Sequence, residues 1–170
     1  MIRLSELIRP YGVMTPTGSY ALDVMAYPDI DVYVPQISVR AIFEIGAAMA
    51  EVAEVKQVVF EKSNNHSLPG GLYLKPRIVY GNWGRPWKVD IWSIDDETLK
   101  AKVALMDGFC KKMTPALREK ILNYKQAVMT IDMRTPMSSG YYIYRAFLDE
   151  GLVDFPDVTS YLFEHGIKIY

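Results

Sequence analysis

The sequence predicts a mixed α/β fold: a mixed sheet with flanking helices, followed by a helical C-terminal part. Three observations carry this. "DIDVYV", "LYLKPRIVYG" and "PWKVDIWSI" alternate with the period of two that marks strands. "SVRAIFEIGAAMAEVAEV" places Ala41, Ile42, Ile45, Met49 and Val52 on one helical stripe. Beyond Asp95 the strand patterns stop, and acidic starts, basic ends and glycine stops take over. The expected organisation is an α/β core over residues 1–95 and a helical region over 96–170, packed on that core.

In chain order, Ser5 to Arg9 reads as a short helix stopped by Pro10. "YGVMTPT" reads as a strand that Pro16 confines to an edge. Ser19 to Met25 reads as a helical turn or two, ended before Pro28. "DIDVYV" is a strand and leads into the striped helix, with Ser38 as its N-cap. "KQVVFEKS" is a further strand, and "NNHSLPGG" has loop composition. "GNWGR" gives a hairpin-like link between the next two strands. "DDETLKAKVALMDGFCKKM" opens on acids that suit a helix N-terminus. "TPALREKILNYKQAVMT" has Thr114 as N-cap and Pro115 in the first helical position. "SSGYYIYRAFLDEG" and "DVTSYLFEHG" form a last helix pair, each closed by glycine.

Composition narrows the function classes. The chain has 170 residues, half of them apolar, so a substantial core is expected. Its net charge of −1 argues against a general nucleic-acid binder. One cysteine, Cys110, excludes an internal disulfide framework and a cysteine-based zinc site, and its helical context predicts a packed thiol. "MIRLSELIRPYG" carries Arg3, Glu6 and Arg9 and lacks an apolar secretory segment. No run is long and apolar enough for a membrane span. A cytoplasmic setting with no membrane partner is the expectation.

The chemistry concentrates in acids on strands. Asp29 and Asp31 flank Ile30, so they share one strand face about 7 Å apart at Cα. Their oxygens can converge on a hard cation, and Mg²⁺ favours a few carboxylates together with water and phosphate. Asp90, set between Val89 and Ile91, is the candidate third acid. A charge among apolar strand neighbours is costly unless something compensates it. Gly18-Ser19 comes before a helix start, where free N–H groups and a hydroxyl can bind phosphate. An anion cradle with a carboxylate metal site suits phosphoryl or nucleotidyl transfer.

These parts resemble the nucleotidyltransferase superfamily, the group with the DNA polymerase beta-like fold. Its pattern is Gly followed by Gly or Ser, a short gap, Asp-hydrophobic-Asp/Glu-hydrophobic, and a later acid between hydrophobic residues. Here Gly18-Ser19 is followed after nine residues by Asp29-Ile30-Asp31-Val32, and then by Val89-Asp90-Ile91. "GSYALD" is similar in wording to lincosamide and aminoglycoside antibiotic nucleotidyltransferases, and the resemblance spans roughly residues 10–95. It implies that Gly18 and Ser19 hold the phosphates of a nucleoside triphosphate. Asp29 and Asp31 would bind Mg²⁺. Asp90 would bind a second metal or act as general base. The reaction implied is transfer of a nucleoside monophosphate, AMP from ATP, to an acceptor hydroxyl such as that of an antibiotic-like molecule. A chain this short leaves room for a cleft shared across a homodimer.

The chain also departs from the pattern. Thr17 stands where a hydrophobic residue is usual, and no Arg or Lys lies between Ser19 and Asp29. Lys88, Arg77, Arg40 or Lys62 would have to meet the triphosphate, and Lys88 shares a strand face with Asp90. Lys88 can equally form a structural salt bridge with Asp90. Asp29 and Asp31 can equally be solvated strand residues. Tyr33 and Trp92 share the carboxylate faces and can either stack on a ligand ring or pack. Asp23 reads as a surface acid, His66 as a solvated loop residue, and His165 as a helix C-terminal residue. The alternative function is a catalytically inactive module of the same fold that binds nucleotide or a protein partner.

Overall fold

A computed structural model describes residues 4–64 and 66–169. Arg3 and Asn65, which figured in the N-terminal and loop readings above, lie outside the described residues. The elements are α1 (Leu4–Ile8) with a 3-10 turn (Arg9–Tyr11), β1 (Thr15–Thr17), α2 (Gly18–Ala21), β2 (Asp29–Pro35), α3 (Val39–Ala50) and β3 (Val55–Lys62). Then come β4 (Leu72–Ile78), β5 (Trp87–Ile94), α4 (Asp96–Lys112), α5 (Pro115–Ala127), α6 (Ser139–Leu148) and α7 (Phe155–Glu164). The chain divides into two compact units. One is Met1–Thr17 with Pro28–Ala104; the other is Gly18–Tyr27 with Leu105–Tyr170. Asp95 caps α4, which starts where the helical pattern was expected: its carboxylate accepts the Thr98 N–H at 2.8 Å and the Thr98 hydroxyl at 2.6 Å. The division falls within α4, after Ala104.

The first unit is built on a five-stranded sheet in the order β1-β2-β5-β4-β3. β2 and β5 run parallel; the other pairings are antiparallel. β1 is a three-residue edge strand, as its central Pro16 requires, since proline gives the ladder no donor. Period two sorts the strands into two faces. Val32, Val34, Leu72, Leu74, Val89 and Ile91 are buried on one face with Ile42, Ile45 and Met49 of α3. Gly46 permits the close approach: a Cβ there would stand 3.3 Å from Leu74 Cδ1. The Ser38 hydroxyl caps α3 by accepting the Ala41 N–H at 3.1 Å. The opposite face carries Asp29, Asp31, Lys88 and Asp90.

The second unit is helical. Ile121, Tyr124, Ile143, Phe147, Val158 and Leu162 form its core. Leu22 and Val24 are buried in the same cluster, which explains why Gly18–Tyr27 belongs with these helices. Basic side chains of α5 hold that segment. The buried Lys125 ammonium donates to the Val24 carbonyl at 2.7 Å, and Arg118 pairs with Asp23 at 2.7 Å. The predicted helix over Ser19–Met25 is cut to the single turn of α2, because Asp23 turns to φ +54°. Gly151 and Gly166 follow α6 and α7 with positive φ, as expected of C-terminal glycines. Cys110 departs from expectation: it is exposed, because the buried stripe of α4 passes through its neighbour Phe109.

The sheet–helix core sets a stability expectation. Ile42→Ala removes a side chain with no exposure and should cost about 2–5 kcal/mol. Arg40→Ala breaks only the exposed Arg40–Glu44 pair of 3.0 Å and should cost about 0.5 kcal/mol or less. Urea midpoints of the two variants measure both; equal losses would contradict the placement of α3.

Candidate metal centre

Strand register assembles the centre. Asp31 stands opposite Asp90, and Asp29 opposite Lys88, across the parallel β2–β5 pair. Asp29, Asp31 and Asp90 each present a carboxylate oxygen within 4.8 Å of the others. Two carboxylates at that spacing repel by on the order of 3 kcal/mol at an effective dielectric near 20. A cluster of this kind therefore needs positive charge close by.

Lys88 supplies some of it. Its Nζ lies 3.0 Å from Asp29 Oδ2 and 2.9 Å from Asp90 Oδ2. Burial alone would lower the Lys88 ammonium, but Asp90 and Asp29 outweigh it and raise it above the ordinary lysine value. The bridge spans both expected readings, the salt bridge and the place beside the site. The Tyr73 hydroxyl donates to Asp90 Oδ1 at 2.7 Å. Burial first, then the Asp90 charge, pushes the Tyr73 phenol far up, so it remains a donor. Both Asp90 oxygens thus accept, one from Lys88 and the other from Tyr73. That arrangement orients the Asp90 carboxylate.

Asp29 is less well satisfied. Its Oδ1 is buried and has no hydrogen-bond partner among the described residues. Burial raises the Asp29 carboxyl above its usual range, and Lys88 offsets this only in part. An orphaned anionic oxygen beside two further carboxylates fits a hard divalent cation: all donors are oxygen, and Mg²⁺ accepts a few carboxylates with open positions for water and phosphate. Asp29, Asp31 and Asp90 would hold it.

The remaining candidates separate clearly. Arg77 stands opposite Lys88 in the β4–β5 register, on the carboxylate face, and its charge reaches Asp29. Arg40 is held by Glu44 on the exposed side of α3. Lys62 pairs with Leu72 in register and so belongs to the opposite face parity. Tyr33, Trp92 and Tyr73 form an in-register row next to the acids, and the Tyr73 and Trp92 rings stack at 4.3 Å. Trp92 therefore packs on a neighbour. Burial, then the Asp31 charge, pushes the Tyr33 phenol up to about 12, against a hydrogen bond from Thr17.

Gly18 and Ser19 lie in the helical unit, at the start of α2. Gly18 has φ +60°, a conformation that favours glycine. The Gly18 and Ser19 carbonyls accept the N–H groups of Leu22 at 3.2 Å and Val24 at 2.9 Å. His66 is exposed, and His165 ends α7 with Nδ1 2.8 Å from the Tyr161 carbonyl. Sequence reasoning missed Tyr73. Only the pairing of β4 with β5 brings it to Asp90.

No family model matches the chain, and no curated protein matches it. Among solved structures the chain is similar to the crystal structure of JHP933 from Helicobacter pylori, with a TM-score of 0.37 and 9% sequence identity over 95% of this chain and 69% of that one. A likeness that slight carries no argument.

The Asp29 environment gives a signed pH dependence. Its folded-state affinity for the proton exceeds that of the unfolded chain, whose reference is 3.8. The unfolded carboxyl ionises first as pH rises, so wild type should lose stability relative to Asp29→Asn from 3.8 up through the raised folded value, then level off. Urea unfolding at stepped pH, with a carbon-13 titration of the Asp29 carboxyl, measures this. A folded midpoint at or below 3.8 would contradict burial as the dominant influence.

Proposed function

We propose that this chain is a magnesium-dependent nucleotidyltransferase of the polymerase beta-like superfamily, moving a nucleoside monophosphate, AMP from ATP, onto an acceptor hydroxyl. The observation that carries the reading is the convergence of Asp29, Asp31 and Asp90 within 4.8 Å, from two parallel strands separated widely in sequence. Metal bound there would withdraw charge from a phosphoryl oxygen and favour attack at phosphorus. The bond formed joins the acceptor oxygen to the α-phosphorus, and the proton of that hydroxyl passes to water. The bond broken joins that phosphorus to the oxygen bridging to the β-phosphate, and pyrophosphate leaves with its electron pair.

The chain's own residues supply orientation and charge. Asp29 and Asp31 would hold the ion from β2, and Asp90 would hold it from β5, with Tyr73 fixing one of its oxygens. Lys88 and Arg77 bring positive charge to the same sheet face, where triphosphate charge accumulates. This offsets the lack of a basic residue between Ser19 and Asp29.

One observation favours a second reading, an inactive module of this fold. Lys88 already bridges Asp29 and Asp90 and so meets part of the charge that metal would meet. Calorimetry with Mg-ATP separates the two. Asp31→Ala should weaken Mg-ATP binding by about 100-fold or more, since losing a ligand costs at least as much as losing a group that orients one. Wild type should release pyrophosphate from labelled ATP when a suitable acceptor hydroxyl is present. Equal Mg-ATP binding by wild type and Asp31→Ala contradicts the metal assignment; no binding of any nucleotide by wild type favours the inactive module.

A further inference from the structure

We propose that Lys88 is a resident cation of the carboxylate cluster, one that a divalent ion must displace and that then serves the nucleotide's phosphates. The proposal deepens the nucleotidyltransferase reading and rests on it. Its basis is the position of one atom. Lys88 Nζ lies 3.0 Å from Asp29 and 2.9 Å from Asp90, two of the three acids that would ligate metal. An ammonium lodged between these two carboxylates and a divalent ion held by the same residues would lie a few ångström apart and repel one another strongly.

Three features make the exchange workable. Lys88 lies on β5 two residues before Asp90 and opposite Asp29, so it stays tethered beside the cluster after leaving it. Its head group is a point charge on a flexible stem, and about a quarter of its side chain remains exposed, which leaves it a way out. Asp90 does not depend on Lys88 for its position, because Tyr73 fixes the other oxygen. The bridge is also incomplete as a resting arrangement. Asp29 Oδ1 stays buried without a hydrogen-bond partner among the described residues even with Lys88 in place. Arg77, opposite Lys88 on the same face, adds charge that draws an anionic ligand to the side where Lys88 would go.

The consequence is a pair of effects with opposite signs. Removing Lys88 removes a competitor for the metal and a partner for the phosphates. A merely structural salt bridge would give the same sign for both, because its loss would loosen the cluster and weaken everything bound there. The experiment follows free Mn²⁺ by electron paramagnetic resonance in wild type, Lys88→Met, Lys88→Gln and Asp31→Ala, first with Mn²⁺ alone and then with Mn²⁺ and a non-hydrolysable ATP analogue. Lys88→Met and Lys88→Gln should bind Mn²⁺ alone roughly tenfold more tightly than wild type and the Mn²⁺–analogue complex roughly tenfold more weakly. Unchanged or weaker binding of Mn²⁺ alone in folded Lys88 variants, as judged by circular dichroism, overturns the proposal. If Asp31→Ala loses Mn²⁺ in that case, the metal centre stands and only the role of Lys88 falls. If none of the four proteins retains Mn²⁺, with or without the analogue, the metal reading falls and the proposal with it. The two Lys88 substitutions differ in polarity, so a folding failure in one leaves the other to decide.

Discussion

Across the parallel pair β2–β5, Asp31 stands opposite Asp90 and Asp29 opposite Lys88, and the rest of the site depends on that register. A slip of β2 by one residue would turn Asp29 and Asp31 to the other face of the sheet, away from Asp90. Burial opposes the slip, because Val32 and Val34 would lose the face they share with α3. Ser93 pins the far end of the pair: its hydroxyl donates to the Pro35 carbonyl at 3.2 Å and accepts the Ile37 N–H at 2.9 Å. The apolar side of the sheet therefore fixes the geometry of the charged side.

The cost of that arrangement is electrostatic. Three acids are drawn together where two are largely shielded from water, and one ammonium answers two of them. A protein optimised for stability alone would place apolar or neutral side chains there, since buried ion pairs seldom outperform well-packed hydrophobic groups. The buried Asp29 oxygen without a partner is where this conflict is plainest. Imperfectly satisfied charge held rigid by a sheet and a tyrosine is the condition under which an added cation gains most.

Much of this was legible in the sequence. The alternation in "DIDVYV" and "PWKVDIWSI" placed Asp29 with Asp31, and Lys88 with Asp90, each on one face, because strand period is local. Ser38 and Thr114 were readable as caps because capping involves only neighbours in sequence. Strand order was not readable. Nothing local says that β2 pairs with β5, so the meeting of the two acid segments was an expectation from a motif. The same ignorance hid Tyr73 and left Arg77 level with Arg40 and Lys62 until register separated them. The short segment after Thr17 was read with the α/β core. Its apolar residues Leu22 and Val24 are buried with the helices, a tertiary preference that sequence proximity conceals. Cys110 was misread because hydrophobic character alone does not say which side of α4 is covered.

The central claim is that these carboxylates are ligands. The most direct measurement is a crystal structure with Mn²⁺ and a non-hydrolysable ATP analogue, phased for the metal's anomalous signal. The account expects an anomalous peak at ligand distance from Asp29, Asp31 and Asp90, with the Lys88 ammonium moved off Asp29 and onto phosphate oxygens. A map with no metal at the three acids and Lys88 still bridging Asp29 and Asp90 would contradict it.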